Sequence, residues 1–324
     1  MTAPSDPQVP DLPYLVTIGE ALGVLSASEP GPLSMGTGMR LGIAGAESNV
    51  AVGVSRLGGT AVWAGRVSED ALGDLILREL RAEGVVTVPV RDPAPTSLLL
   101  KERRTAGHSR ARYYRTLTAG SRLTPDDVPE TLVANAAVLH VTGITPALGP
   151  GPAAAVTHAV DIAREAGVTV SLDVNYRSLL WDEPAARHAL LPLLRRSDLI
   201  LAGTHEARLL SPGDHAPEAL AASLCALGPS AAVLKLGAAG ALALIDGTTY
   251  HQPAFPVPVH DTFGAGDAFA AGYLAELLTS RPPAERLRTA ALLGAFAVST
   301  SGDWQGLPHR RDLGLLHHPD DIVR

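Results

Sequence analysis

Apolar and polar positions follow one pattern in the first third of this chain and another in the rest. In the rest, short apolar runs that are typical of strands alternate with Ala-rich stretches that are typical of helices. Strands are predicted at residues 138–141, 168–174, 199–202 and 232–236, with further strand-like segments up to Val259. Helices are predicted to end near Gly167 and Arg196, and to span residues 217–227, 265–279 and 284–299. This alternation indicates crossover connections and a largely parallel sheet covered on both faces.

The first third has short strand-like runs with polar alternation, at residues 15–18, 21–27, 40–43, 98–101 and 110–115. Two helices are predicted between them, at residues 46–57, closed by Gly58 and Gly59, and at residues 70–81, with Ser68 as the N-cap. Short half-polar strands that interrupt an α/β pattern suggest a small sheet projecting from the main one. Such a sheet can close over a ligand as a lid; a sheet edge without a functional role is the alternative.

These patterns predict one α/β domain over residues 14–317. Its central, mainly parallel sheet is flanked by helices on both faces, and a small β-sheet lid draws its strands from about residues 15–43 and 96–116. Residues 1–13 and 318–324 are expected to be flexible tails.

Composition narrows the class of protein further. The 324 residues carry a formal net charge of −7, which argues against nucleic acid as the main partner, because such proteins present a basic surface. Cys225 is the only cysteine, which excludes an intrachain disulfide and a zinc site built from cysteines. The N-terminus lacks the regions of a signal peptide, and no apolar run approaches the ~18 residues of a membrane span. We therefore expect a soluble, cytoplasmic protein.

Several common catalytic motifs are absent from the sequence. Neither Lys101 nor Lys235 follows a glycine, which rules out a P-loop. No Gly-x-Gly-x-x-Gly occurs, which argues against a nicotinamide-dependent dehydrogenase. The sequence also lacks Gly-x-Ser-x-Gly and His-Glu-x-x-His.

The strongest chemical signal is the segment 259–272, where a strand ends and an Ala-rich helix begins. Gly264 and Gly266 let the backbone approach a ligand closely, and free N–H groups in the first helical turn favour an anion there. Asp267 falls in that turn, where an aspartate can orient an alcohol and take its proton. This combination suits phosphoryl transfer to a hydroxyl. A glycine-rich turn in which Asp267 merely starts a helix is the alternative.

Three further segments carry candidate ligand contacts. The glycine turn at residues 234–243 either wraps a nucleotide or is a tight hairpin, and the pattern alone favours the hairpin. Asp173, Asn175 and Arg177 end an apolar strand, where α/β sheets place ligands. Residues 110–115 put two tyrosines and three arginines on the predicted lid, and arginine binds carboxylates and phosphates bidentately. Either of the last two segments can instead be a solvated surface.

Taken together, these residues resemble the ribokinase-like (PfkB) carbohydrate kinase family over nearly the whole chain. The N-terminal signature is Gly45-Ala-Glu-Ser-Asn49, followed by a helix and Gly58. The C-terminal signature is Asp261-Thr-Phe-Gly-Ala-Gly-Asp267, in which Phe263 replaces the threonine usual in the family. Within the family the chain is most similar to the kinases of 2-keto-3-deoxygluconate. That similarity is carried by residues 113–115, 173–181 and 302–308.

The resemblance implies a role for each residue at a matching position. Asp267 becomes the catalytic base, with the anion site formed by Gly264, Ala265 and Gly266. Substrate contacts are implied for Gly45, Asn49, Tyr113, Arg115, Arg177, Asp267 and Asp303, of which Tyr113, Arg115 and Arg177 surround the acid end. Nucleotide contacts are implied for Asn175, Lys235, Gly237, Gly240, Gly264 and Gly266. Glu206 is expected in the outer shell of Mg²⁺, and a monovalent cation is expected near Asp261.

The sequence departs from the family's pattern at three further places. Ala44 replaces the first glycine of a pair, so that Ala44-Gly45 precedes the N-terminal signature. Leu99 stands where the 2-keto-3-deoxygluconate kinases often have a tyrosine facing the sugar. Gly203 replaces the asparagine of an Asn-x-x-Glu motif that organises magnesium and its waters, while Glu206 is retained.

The resemblance therefore leads us to expect an ATP-dependent kinase that phosphorylates the terminal hydroxyl of 2-keto-3-deoxygluconate. A neutral sugar would not need Arg115 and Arg177 converging on it. The alternatives are a kinase for a neutral ketose such as fructose or for another sugar acid, and a non-catalytic sugar-binding regulator on the same fold. The expected ligands are the sugar or sugar acid, ATP and Mg²⁺. A homo-oligomer, dimer or higher, is expected, without nucleic acid or membrane as a partner.

Overall fold

The computed structural model describes residues 9–10, 13–105, 108–213 and 216–317. The two predicted tails lie outside these residues, apart from positions 9, 10 and 13. In chain order the strands are β1 (Tyr14–Ile18), β2 (Leu22–Ala27), β3 (Met39–Ala44), β4 (Thr60–Ser68), β5 (Val86–Asp92), β6 (Leu98–Thr105), β7 (His108–Tyr114), β8 (Val138–Thr142), β9 (Thr169–Asp173), β10 (Leu199–Gly203), β11 (Ala231–Lys235), β12 (Ala241–Ile245) and β13 (Thr248–Gln252). The α-helices are α1 (Ala46–Arg56), α2 (Ala71–Ala82), α3 (Glu130–Ala134), α4 (Pro150–Ala166), α5 (Glu183–Leu194), α6 (Thr204–Leu210), α7 (Pro217–Cys225), α8 (Ala265–Leu278) and α9 (Pro283–Val298).

The main sheet has nine strands in the order β13-β12-β11-β10-β9-β8-β1-β4-β5. The seven strands from β11 to β5 pair in parallel, and β12 and β13 add two antiparallel pairings at one edge. The predicted largely parallel sheet is therefore confirmed. Because parallel strands run in one direction, the chain leaves β1, β8, β9, β10 and β11 at the same edge of the sheet, where α/β folds bind ligands.

Helices cover both faces of this sheet, and residues along each strand alternate between the two faces. In β10, Ile200 and Ala202 belong to the apolar core on the side of α3 to α7, whereas Leu199 and Leu201 belong to the core on the side of α1, α2, α8 and α9. β1 is buried at all five positions. A strand buried on both faces reads as an apolar run and is typical of the centre of a parallel sheet.

The second sheet has four strands in the order β3-β2-β6-β7. It is the predicted small sheet, and its apolar face is a small cluster built around Leu22, Val24, Ala44 and Leu99. One of the five predicted lid strands is corrected, because residues 15–18 belong to β1 of the main sheet. The complete burial of β1 is the physical reason, since a projecting sheet leaves one face in water.

Local details of other elements differ from the prediction. Asp70, not Ser68, caps α2, because its side chain accepts a hydrogen bond from Gly73 N at 2.8 Å. Ser68 instead accepts a hydrogen bond from Asp70 N. The predicted end of α4 is confirmed, since Gly167 has the left-handed φ of +71° that glycine adopts without strain.

In the described part of the chain, no helix is both long and apolar enough to cross a membrane.

Candidate active site

A cleft of about 850 Å³ lies between the carboxyl edge of the main sheet and the four-stranded sheet. Residues at or just beyond the ends of β1, β9, β10 and β11 line one side, and Leu22, Ala44, Leu99, Ala111 and Tyr113 line the other. The first turns of α1 and α8 also reach the cleft, through Asn49 and Asp267. The two family signatures, more than 200 residues apart in sequence, therefore meet in one place.

Asp267 is almost fully buried in the first turn of α8. Its Oδ2 accepts a hydrogen bond from Asn49 Nδ2 at 2.8 Å, and its Oδ1 accepts one from Asn175 Nδ2 at 3.0 Å. Asn175 follows β9 with a φ of +40°, a conformation that asparagine tolerates better than most residues. Two amide donors on the two carboxylate oxygens fix the orientation of Asp267, as a general base at a bound hydroxyl requires. Sequence reasoning assigned these amides to the ligands and missed their contact with Asp267.

The start of α8 has the geometry of an anion site. Gly264 precedes the helix with a φ of +71°, and a side chain there would overlap the carbonyl oxygen of Asp303. The N-cap residue of α8 is a glycine and has no side chain to cap the helix. The N–H of Ala265 donates to the Thr262 carbonyl oxygen at 3.4 Å, and the N–H groups that follow remain available to a ligand. A Cβ atom on Gly266 would lie 3.4 Å from Lys235 Nζ, which places this ammonium beside the same N–H groups. Backbone donors, the helix dipole and an ammonium together favour a phosphate group.

Lys235 ends β11 and forms an ion pair with Asp173 at the end of β9. Its Nζ lies 2.9 and 2.8 Å from the two carboxylate oxygens. Burial raises the pKa of Asp173 to about 6, with Lys235 opposing this shift and Glu206 and Asp267 adding to it. Burial lowers the pKa of Lys235, but the surrounding carboxylates outweigh that effect and raise it overall. Lys235 is therefore charged at neutral pH.

The contacts of Glu206 show whether the site fits a magnesium ion. Its Oε2 accepts a hydrogen bond from Gly203 N at 2.6 Å, and its Oε1 accepts one from Tyr176 N at 2.9 Å. This carboxylate caps α6 and lines the cleft. Among the described residues, no three His, Cys, Asp or Glu side chains cluster as metal ligands. One carboxylate facing the cleft fits Mg²⁺ that is held mainly by phosphates and water.

The side of the cleft formed by the end of β7 and the loop after β9 holds two arginines in different states. Arg115 is paired, since its Nη2 lies 3.2 Å from Glu20 Oε2 and its guanidinium carbon lies 4.3 Å from the centre of the Tyr113 ring. Arg177 is exposed at the cleft and forms no ion pair within the described residues. The resemblance implied both arginines at an acid end, and the geometry leaves Arg177 as the one whose charge is free for a ligand.

Tyr113 and Asp303 lie within electrostatic reach of Arg177. Burial raises the pKa of Tyr113, while Arg115 and Arg177 lower it. Burial likewise raises the pKa of Asp303 to about 6, against the lowering effects of Lys101 and Arg177. Leu99 pairs with Tyr113 across β6 and β7 and is fully buried. Leu99, which departs from the tyrosine that the resemblance leads one to expect, is therefore an apolar part of the cleft wall.

Not every predicted contact lines the cleft. Gly240, Ala265 and Asp261 lie outside its lining, whereas Gly45, Gly237 and the other predicted residues belong to it. Gly240 has a φ of +98°, and a side chain there would overlap the carbonyl oxygen of Gln252. The turn at residues 234–243 joins the antiparallel strands β11 and β12, so it is a hairpin that also brings Lys235 and Gly237 to the cleft.

Three buried ionisable groups had no role in the sequence-based prediction: Glu20 and Glu47, which line the cleft, and Lys101, which borders a second cavity. Glu47 accepts hydrogen bonds from Thr142 and Thr145, each at 2.7 Å. A signal was present for Glu47, which lies inside the N-terminal signature. Asp173 was predicted as a ligand contact at a strand end, and its ion pair with Lys235 was not foreseen. No local pattern indicated Glu20, because its partner Arg115 comes from the other sheet.

The burial of the Glu47 carboxyl group leads to a prediction about folding stability. Burial raises its pKa from 4.5 to about 7, with the two threonine hydroxyls opposing this shift and Asp267 adding to it. A carboxyl group whose pKa is raised by folding stabilises the fold at low pH, and this contribution is lost as pH rises through the folded-state pKa. Glu47→Gln should therefore flatten the decline in the free energy of unfolding between pH 4.5 and 7, by up to about 3 kcal/mol.

Urea unfolding of both proteins across this pH range measures the difference. Raised pKa values at Asp173 and Asp303 add a decline to both proteins, and this common part cancels in the comparison. Parallel pH profiles for the wild type and Glu47→Gln would contradict the assignment.

Comparisons with known proteins agree on a family. Residues 12–310 match the sequence profile described as pfkB family carbohydrate kinase. Two relatives named 2-dehydro-3-deoxygluconokinase are similar to this chain. The protein from Bacillus subtilis is 37% identical over 92% of this chain and 93% of its own, and that from Thermoproteus tenax is 36% identical over 92% of each. A solved structure named PfkB protein from Polaromonas sp. JS666 aligns with a TM-score of 0.85 at 35% identity, covering 93% of this chain and 99% of the other.

Proposed function

The chain belongs to the pfkB family of carbohydrate kinases, and we propose that it phosphorylates the terminal hydroxyl of 2-keto-3-deoxygluconate, also called 2-dehydro-3-deoxygluconate, with ATP as donor. The buried carboxylate of Asp267, held by Asn49 and Asn175 beside the uncapped start of α8, carries the kinase chemistry. The choice of a sugar acid is supported by the names of the two relatives and by the free charge of Arg177.

In this mechanism Asp267 accepts the proton of the terminal hydroxyl as the hydroxyl oxygen attacks the γ-phosphorus of ATP. The bond between that phosphorus and the oxygen bridging to the β-phosphate breaks, and ADP leaves with the electron pair. The free N–H groups that begin α8, together with Lys235, hold the charge of the transferring phosphoryl group. Gly264 matters because only a residue without a side chain fits against Asp303 there.

On the sugar side, Arg177 binds the carboxylate of the substrate with a charge-assisted hydrogen bond. Tyr113 presents a half-buried ring to the sugar, and Asp303 is the further polar contact. The pairing of Arg115 with Glu20 holds the lid strand β7 against the end of β1. In this proposal Arg115 is therefore a positioning residue that presents Tyr113, and Arg177 is the arginine that contacts the acid.

Glu206 is the residue that would hold Mg²⁺, through water in its outer shell. When bound, Mg²⁺ neutralises charge on the phosphates of ATP. We expect activity to disappear in excess chelator and to return when Mg²⁺ is added. Glu206→Gln, which keeps the shape but removes the charge, should raise the Mg²⁺ concentration for half-maximal activity about tenfold, as loss of an outer-shell partner does. An unchanged Mg²⁺ requirement in the variant would remove Glu206 from this role, and activity in excess chelator would remove the metal.

A coupled assay of ADP release over a panel of substrates tests the function. The panel contains 2-keto-3-deoxygluconate, its C4 epimer, other sugar acids, fructose and ribose. The highest kcat/KM for a 2-keto-3-deoxy sugar acid is the expected result. A preference for fructose would favour the neutral-ketose kinase, and no turnover with intact ATP binding would favour a regulator. We further propose a cytoplasmic location, because the enzyme uses ATP. We also propose a dimer or higher oligomer, which light scattering measures.

A further inference from the structure

Lys101 occupies an unusual place for a lysine. It is one of only two lysines in the chain, alongside 24 arginines, and its side chain is 5% exposed. It extends from β6 of the four-stranded sheet, and its Nζ lies 2.7 Å from Asp261 Oδ2. The same ammonium lies 3.7 Å from the centre of the Phe263 ring. Nothing in the proposed reaction uses this group.

The carboxylate of Asp261 is fully engaged by the chain itself. Its Oδ2 accepts the hydrogen bond from Lys101, and its Oδ1 accepts one from Phe263 N at 3.2 Å. A monovalent cation, expected near Asp261 by resemblance to the family, would have to lie beside an ammonium of the same charge. Phe263, which replaces the family's usual threonine, adds an aromatic face to the ammonium rather than a hydroxyl oxygen to a metal ion. The residues present therefore do not fit such an ion.

Asp261 begins the loop that leads into the anion site. Three residues later Gly264 takes its left-handed conformation, and α8 follows with its free N–H groups. Lys101 thus ties a strand of the four-stranded sheet to the backbone that carries these donors. A displacement of about 1 Å at such donors can cost about 100-fold in rate.

We propose that the Lys101 ammonium is a built-in monovalent cation, which holds Asp261 and the loop into α8 so that the protein needs no added K⁺ or Na⁺. Lys101 is a positioning residue in this proposal, since it contacts the loop and not the reacting atoms. The catalytic part of the inference rests on the proposed kinase function, whereas the binding part concerns only the fold of the loop.

The first test compares the wild-type protein in tetramethylammonium, sodium and potassium chloride at equal ionic strength. Tetramethylammonium is much larger than K⁺ or Na⁺ and has no N–H to donate to a carboxylate, so it serves as the reference. We expect equal kcat and equal melting temperature in the three salts. Stimulation of kcat by K⁺ or Na⁺ above this reference would overturn the proposal.

The second test removes the ammonium. Lys101→Ala should lower kcat about 10- to 100-fold with a smaller change in the KM for the sugar. The side chain also borders a second cavity of about 900 Å³, through which small cations can reach the space that it leaves. Ammonium, methylammonium or K⁺ should therefore restore part of kcat and raise the melting temperature of Lys101→Ala, but not those of the wild type. A merely structural lysine would not be rescued in this way.

Two variants control the second test. Lys101→Met keeps most of the side-chain volume without the charge, so it separates the loss of packing from the loss of charge. Arg103→Ala removes a basic side chain two positions along the same strand, which borders the same second cavity, and should show neither the loss nor the rescue. Wild-type kcat in Lys101→Met, or a loss in Lys101→Ala that no small cation changes, would overturn the proposal.

The melting temperatures keep the inference distinct from the proposed function. They need no sugar, so they remain informative if the substrate panel gives no turnover. In that case a cation-dependent rise of the melting temperature that is confined to Lys101→Ala still supports the built-in cation. A melting temperature of Lys101→Ala that is the same in all salts rejects it.

Discussion

Asp267→Asn should lower kcat by about 10²- to 10⁴-fold, the usual contribution of a positioned general base, while the KM for the sugar changes little. The amide has the shape of the carboxylate but cannot take the proton of the hydroxyl. Its extra donor can be accommodated, because Asn49 Oδ1 is buried without a partner among the described residues and can turn to accept a hydrogen bond. The measurement is steady-state kinetics on protein whose melting temperature matches that of the wild type.

The matched control for this prediction is Asp74→Asn, which makes the same change at an exposed carboxylate outside the cleft. Asp74 pairs with Arg91 on the surface, so kcat should stay at the wild-type value. Asn49→Ala and Asn175→Ala extend the test to the two amide donors. Each should lower kcat less than Asp267→Asn does, because the base remains but loses one of its two fixed contacts. Wild-type turnover in folded Asp267→Asn would end its assignment as the base.

Much of the fold could be predicted because its signals are local. Alternating apolar runs and Ala-rich stretches identified β8 to β11 with their helices, and Gly167 marked the end of α4. Polar residues at strand ends also indicate a ligand site. Asn175, Gly203 and Lys235 lie at one edge of the sheet because their strands are parallel. Because the strands were predicted to be parallel, the polar residues at their ends could be predicted to lie together in the cleft.

What could not be predicted depends on contacts between distant parts of the chain. Asn49 and Asp267 are separated by 218 positions, and Lys101 and Asp261 by 160, so neither pairing leaves a periodic signal. The assignment of residues 15–18 to the lid was wrong for the same reason. Whether a short strand joins one sheet or the other is decided by its partners β4 and β8, which supply burial on both faces. Sequence reasoning likewise treated Arg115 and Arg177 as equivalent, because it could not see Glu20.

This difference between the two arginines leads to a prediction that decides the substrate. Arg177 faces the cleft without a partner in the described residues, so a carboxylate bound there would gain a new charge-assisted hydrogen bond. Arg115 already neutralises the buried Glu20, so removing it leaves an unpaired carboxylate as well as a gap beside Tyr113. The first change should affect one class of substrate, and the second should affect the protein as a whole.

Arg177→Ala should raise the KM for 2-keto-3-deoxygluconate about 10- to 150-fold, since a hydrogen bond to a charged group contributes roughly 1.5–3 kcal/mol and each 1.4 kcal/mol is a factor of ten. The KM for a neutral sugar of similar length, and that for ATP, should change much less. Arg115→Ala should lower the melting temperature and weaken the binding of both sugars alike. Arg112 is an exposed arginine on β7 outside the cleft, so Arg112→Ala should change neither the melting temperature nor the binding of the sugars. If Arg177→Ala weakens acid and neutral sugars equally, its guanidinium does not bind the carboxylate. A wild-type preference for the neutral sugar would instead move the assignment to a ketose kinase.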